Sequence, residues 1–376
     1  MTANQISLAR GRLLPFLLPN LRDLSPSDDS QHTVELLRGK SDRTVDLARS
    51  SLRISAEIAP DIDRTINHVC DKISIDRDSV DLYVFPSAEL SGFCFINEFP
   101  IIVGASSSVI KSLDADELAF FLGHEIGHAL FKETSNFISS QSCLEDQIFA
   151  RSIEITVDRV GLLTAGNMDS AFSAILKTLS GLDDRHLRFD FSHFMSEARE
   201  ALDGSISDQL LYSSHPPLAQ RFKALVSFSL SDVYRNAVNG DSGGAIPIDQ
   251  INKVIAASLN NAVDSKAYEL INSALEDFGV WVIHLLIALK KKISLSGLKD
   301  ATGLAVNKAQ IERAGIFLDS YSESEKLQVL NEKLTDSLRH SGRLAPRATA
   351  RLMDKIQDLY PGSGLDVEEL LGLTDG

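Results

Sequence analysis

The sequence predicts a mainly α-helical chain with a small β-sheet, an α+β domain followed by an all-helical C-terminal domain. Three observations predict it. Apolar residues recur at helical spacing through most of the chain. Only "VDLYVF" (80–85) and "GFCFINEFPIIVGAS" (92–106) read as β-structure, and both lie in the first half. The glycine-rich run "NAVNGDSGGAIP" (236–247) is the best linker, and no strand signal follows it.

Composition bounds the rest. A chain of 376 residues makes one large domain or two ordinary ones, and 44% hydrophobic content is that of a folded protein. A formal net charge of −15 argues against a protein living mainly on nucleic-acid phosphates. The three cysteines, Cys70, Cys94 and Cys143, are far apart and form no C-x-x-C pair, so neither a disulfide scaffold nor a cysteine zinc site is expected. The expected setting is reducing and cytoplasmic. No run of about 20 apolar residues stands out, so no transmembrane segment is expected. The longest candidate, "FGVWVIHLLIALKKK" (278–292), reads as a buried helix with a basic end. "ARGRLLPFLLP" (9–19) lacks the longer apolar core and cleavage site of a signal peptide, and is expected to pack on the domain surface.

In chain order, residues 1–40 form a polar, proline-punctuated extension. From Thr44 to Ile73 the apolar spacing suits helices broken at Pro60. The strand 80–85 ends at Pro86. Pro100 removes a ladder donor, which marks the second β-segment as an edge strand. A helix over 114–132 follows, opened by a capping box from Asp114 and Glu117. Another runs over 144–165 and stops at Gly166.

The stretch "LAFFLGHEIGHALFKE" (118–133) sets three ionisable groups in an apolar helix. His124 and His128 are i, i+4, so both imidazoles project from one face, a turn apart, where two ring nitrogens reach one metal ion. Glu125 sits about 100° round the helix, placed to reach a water rather than the metal. H-E-x-x-H in this form supplies two zinc ligands and a general base. Gly123 and Gly127 keep the backbone slim for the close approach of another segment. Two buried histidines without a metal would each need hydrogen-bond partners.

A catalytic zinc takes three protein ligands. "RSIEITVDRVGL" (151–162) offers the third. Glu154 and Asp158 share a helix face, Glu154 as candidate ligand and Asp158 as acceptor for the free ring N–H of a ligating histidine. Taken alone, such a pair is more often a solvated face. "SSHPPLAQRFKAL" (213–225) adds His215 ahead of two prolines that stiffen a helix start, with Arg221 six residues on. A lone His-Pro by itself carries little.

The order H-E-x-x-H, E-x-x-x-D, then H-P with a downstream arginine resembles the zinc peptidase family that includes the CAAX prenyl protease, HtpX and OMA. The likeness runs from about residue 45 to 230. It implies a zincin-type metallopeptidase domain with Zn2+ on His124, His128 and Glu154, and Glu125 as catalytic base. It implies His215 near the reacting carbonyl, Asp158 behind the ligands, and Arg221 paired with the Glu154/Asp158 carboxylates. It also implies a protein or peptide substrate laid along the 94–103 edge strand. The chain departs from the family at Val157, where alanine is common, and "SGFCFIN" only loosely echoes the usual Asn-Ala-Phe. The membrane spans of the best-known members are missing, which favours a soluble endopeptidase.

The expected organisation is an extension (1–40), a zinc metallopeptidase domain (41–235), a linker (236–247) and a helical C-terminal domain (248–376). That last part is expected to gate or recruit substrate. "SLSGLKDATGLAVNKAQIERAG" (294–315) partly resembles a helix-turn-helix. Arg339, Arg343, Arg347 and Arg351 recur every four residues, a pattern usually found on a solvated face. The alternative reading is a regulatory protein that binds DNA or a partner through this segment, its protease domain a switch or vestigial.

Overall fold

The computed structural model describes residues 9–18, 42–95, 100–131, 143–188, 190–202, 208–260, 263–289, 291, 293–304 and 306–360. Most of the extension 1–40 and the acidic tail beyond Tyr360 lie outside them. The described chain is mostly helical with one four-stranded sheet. It divides into two compact units. One lies within Met1–Ile138, Phe149–Ile206 and Ser213–Ala262, the other within Ser139–Ile148, Ser207–Tyr212 and Val263–Gly376.

In the first unit the sheet runs in the order β1 (Leu52–Arg53), β2 (Val80–Phe85), β4 (Ile101–Ser106), β3 (Gly92–Phe95). β2 and β4 are parallel; β3 pairs antiparallel with β4, Cys94 opposite Val103. This corrects the expected edge strand. Pro100 precedes β4, which is central and buried along its whole length, and the free edge belongs to β3. The proline therefore costs the ladder nothing. Residues 96–99 of the expected substrate strand lie outside the described residues.

Pro60 starts a helix rather than breaking one. It occupies the first turn of Pro60–Ile73, where a missing N–H is harmless, and Ile66, Val69, Cys70 and Ile73 face the core. The helix Ala115–Leu130 opens with the capping box. Asp114 accepts the Asp116 and Glu117 N–H groups, and Glu117 accepts the Asp114 N–H at 2.8 Å. Buried Lys177, on the helix Met168–Ser180, donates to the same Glu117 carboxylate and to Asp184, each at 2.8 Å. The cap thus ties two helices together.

The helix Leu144–Ala165 ends at Gly166, whose φ of 75° suits glycine. It crosses Ala115–Leu130 at close range. A Cβ on Gly123 would fall 2.1 Å from Thr164 Oγ1, and one on Gly127 would fall 3.1 Å from Val157 Cγ1. Thr164 uses the proximity, donating to the Ala119 carbonyl at 2.7 Å. The segment 9–18 packs inward, with Leu13, Phe16 and Leu17 in the core.

The stretch 236–247 is tied down rather than loose. Ile246 N–H donates to Leu230 O, Asp232 N–H to Ile246 O, and Ile248 N–H to the Asp232 carboxylate, all at 2.9 Å. The next helix, Ile248–Asn260, packs Ile251, Ile255 and Leu259 against Leu18, Ile155 and Ala224. The first unit therefore extends past the expected boundary at 248.

The second unit is helical. Val263–Ala288 packs along Glu323–Leu344. The part within Asp264–Ala288 is, among the described residues, long and apolar enough to cross a membrane, and 56% of its most apolar window is buried. The apolar run from Phe278 is the C-terminal part of this helix. The two halves of 294–315 become Leu295–Thr302, capped by Gly303 at φ 78°, and Lys308–Asp319. The first packs on Pro346–Leu359 and the second on Val263–Ala288. The arginine stripe is broken at Pro346, which starts a new helix. Arg347 is not solvated: it pairs with buried Asp146 at 3.0 Å and with Glu145 at 3.5 Å.

Candidate metal centre

Two crossing helices supply the central residues of the site. His124 and His128 come from one turn of Ala115–Leu130, and Glu154 and Asp158 from one turn of Leu144–Ala165. The His124 and His128 Nε2 atoms are 3.2 Å apart. Glu154 Oε2 is 3.6 Å from His124 Nε2, and Glu154 Oε1 is 3.4 Å from His128 Nε2. Ligands at about 2.0–2.1 Å around a tetrahedral zinc stand roughly 3.3–3.4 Å from one another. The three edges match that spacing. Buried Glu154 Oε2 has no hydrogen-bond partner among the described residues, a costly state for a carboxylate unless a cation meets it. The donor set of two imidazoles and one carboxylate thus fits a metal ion.

Behind the ligands stands a buried relay. His124 Nδ1 is 3.0 Å from Asp158 Oδ1, and Arg221 donates to the same carboxylate through Nε at 2.8 Å and Nη2 at 2.6 Å. An ionised carboxylate only accepts, so the His124 proton sits on Nδ1 and the Nε2 lone pair faces Glu154 and His128. Burial alone would raise the Asp158 carboxyl, but Arg221 and His124 hold it far below the usual range. Burial alone would lower His124, but the Asp158 hydrogen bond and the carboxylate charges keep it raised. Burial, aided by His124, pushes His128 down to about 4, which favours the neutral ring a metal requires. Arg221 makes its hydrogen bonds to Asp158; toward Glu154 it acts through charge.

Glu125 stands apart from the ligand group yet lines the same cavity as His124, Glu154, His215 and Arg221. Burial pushes its carboxyl up to about 7. His215 comes from the loop before the helix Leu218–Ser229, whose N-cap is Pro217. Its Nε2 is 3.5 Å from Glu154 Oε2, and its side chain is more than half exposed. Every site residue anticipated from the sequence is therefore brought to one place.

Two contributors carried no signal in the sequence. Arg151, buried one turn before Glu154, donates to the Ser213 carbonyl at 2.7 Å and so holds the His215 loop to the ligand helix. Ser214 Oγ lies 3.1 Å from His215 Nδ1. Neither spacing nor residue type marks them, because each acts through a backbone or a neighbour.

No curated protein and no solved structure gave a match in comparison. Residues 57–150 match the family model of peptidase family M48, a span that takes in His124, Glu125 and His128 and stops short of Glu154. That match supports membership of this chain in the M48 family of metallopeptidases.

Proposed function

We propose that the protein is a zinc-dependent endopeptidase that hydrolyses peptide bonds of protein substrates. The observation that carries this reading is the convergence of His124 Nε2 and His128 Nε2, 3.2 Å apart, on the Glu154 carboxylate, which sets Oε2 3.6 Å from the first and Oε1 3.4 Å from the second. Zinc in such a donor set supplies Lewis acidity, which makes an oxygen nucleophile available near neutral pH.

The chain's own residues do the rest. Glu125, poised near neutrality by burial, takes a proton from the attacking water and returns it to the departing amine. His215, on the exposed side of the site, donates a hydrogen bond to the oxyanion as it forms. Asp158 and Arg221 keep His124 in the tautomer whose lone pair faces the ligand group. The free edge of β3, beside the motif helix, offers an extended substrate unpaired backbone groups.

The test compares new protein termini in cells carrying the wild-type chain or Glu125→Gln. Termini that depend on Glu125 support the reading. Identical termini in both, with no hydrolysis of unstructured protein by the purified zinc-loaded chain, would overturn it.

A further inference from the structure

Three helices of the second unit line a cavity of about 370 Å³ in which no residue of the metal centre takes part. Trp281 comes from Val263–Ala288, Arg313, Ala314 and Phe317 from Lys308–Asp319, and Lys333 from Glu323–Leu344. Residues 313, 314 and 317 are spaced to share one helix face. The floor is apolar and firm, since Trp281 and Ala314 are buried. The Phe317 ring stands edge-on to the indole, with centroids 6.2 Å apart and planes at 74°. The rim is cationic. Arg313 Nε donates to the Ala309 carbonyl of its own helix at 3.2 Å, and among the described residues the guanidinium forms no ion pair. Lys333 Nζ lies 5.5 Å from the Phe317 centroid, over a ring rather than against a carboxylate. Asp277 lines the same cavity, yet among the described residues it pairs with neither cation. Acidic residues outnumber basic ones 52 to 37 in this chain, so two cations left without a counter-charge beside one aromatic face run against its composition.

We infer that this cavity binds a small ligand with a flat aromatic body and one anionic group, a carboxylate or a phosphate. The body packs against Trp281 and Phe317, whose mutual edge-on setting offers a ring both a face and an edge. The anion meets the Arg313 guanidinium, whose planar fork matches carboxylate and phosphate oxygens, and the Lys333 ammonium beside it. Small-molecule sites hold roughly 300–1,000 Å³, lie between the helices of bundles, and combine apolar walls with a few polar groups. A volume near the lower end of that range suits a ligand of one or two rings. A cationic aromatic ligand would find its opposite charge in Asp277 alone and face two like charges. The site stands whether or not the chain is a peptidase, and it makes the helical C-terminal part a ligand-binding unit.

Trp281 is the chain's only tryptophan, so its emission reports on this cavity directly. The full-length chain is titrated with four probes that share one body: biphenyl-4-carboxylate, biphenyl-4-yl phosphate, biphenyl-4-methanol and biphenyl-4-methylammonium. At least one anion should shift the Trp281 emission and bind about tenfold tighter than the alcohol, the worth of a charge-assisted hydrogen bond, with the ammonium weakest. Either anion ahead of the other supports the assignment and names the head group. Arg313→Gln and Lys333→Gln, both on exposed positions, should bring the anions down to the alcohol. Phe317→Ala should weaken all four probes. Circular dichroism confirms that the variants fold. Equal affinity for anion and alcohol, an emission that no probe moves, or a charge preference unchanged in both glutamine variants would overturn the assignment. Self-association that Phe317→Ala abolishes, with no anion bound, would overturn it too and make the groove a contact between copies of the chain.

Discussion

Asp158 Oδ1 receives both His124 Nδ1, at 3.0 Å, and Arg221 Nη2, at 2.6 Å, inside a fully buried pocket. One carboxylate therefore orients a metal-ligating ring and neutralises a buried guanidinium. Asp158→Asn should weaken zinc affinity by about 10–100-fold, the usual cost of losing a ligand's hydrogen-bond partner. It should also destabilise the chain by about 3 kcal/mol, since Arg221 stays buried without its counter-charge. Folded Asp158 titrates well below an unfolded aspartate. The stability it contributes is present above about pH 4 and lost as pH falls through the folded value, so the variant should flatten that acid limb. Competition titration with a chelator and melting from pH 2 to 8 check both.

Glu125→Gln should keep its zinc and lose about 10²–10⁴-fold in hydrolysis, because the amide cannot accept a proton. The metal-stripped chain adds a second readout. Burial raises the Glu125 carboxyl from 4.5 to about 7, so the folded chain holds a proton that the unfolded chain releases between those values. The resulting penalty builds up as pH rises through that window and is full above it. Glutamine removes it, so the variant should be more stable by about 3 kcal/mol at pH 8 and little changed near pH 4. A variant no more stable than wild type at pH 8 would mean the carboxyl is not strained by burial.

His215→Ala should retain zinc and its melting temperature yet lower kcat by about 10²–10³-fold, the cost of one oxyanion donor. KM should move less, because the ground-state carbonyl gains little from that donor. An unchanged kcat with a lower melting temperature would make His215 a packing residue.

Lys177→Met leaves buried Glu117 without its ammonium partner, though still accepting the Asp114 N–H. A loss of about 3 kcal/mol is expected in urea unfolding. Lys177→Met/Glu117→Gln should recover much of it. Two variants that simply add would place the cap and the lysine in separate roles.

The ligand helices were legible because their chemistry is written at i, i+4 and their ends carry Asp114 and Gly166. Helical spacing alone sets His124 and His128 on one face with Glu125 about 100° round from His124. The order of β3 and β4 was not legible. It depends on which strand lies between two others, and Pro100 fits a turn as well as an edge. The run 236–247 looked like a linker because its glycines suit turns, but Ser231, Asp232 and Ile246 fasten it through backbone groups that composition does not reveal. The Arg347 pair with Asp146 joins residues 201 positions apart, and Leu90, Phe121 and Ile175 reach the cavity of the site from a loop and two separate helices. No local pattern encodes such meetings.

The most direct measurement is the zinc content of the full chain purified without added metal, read by elemental analysis beside His124→Ala and Glu154→Ala. About one zinc per wild-type chain is expected, falling to near zero in both variants, with a lower melting temperature because ligand binding is coupled to folding. A wild-type chain that carries no zinc and takes up none on addition would contradict the assignment of His124, His128 and Glu154 as its ligands.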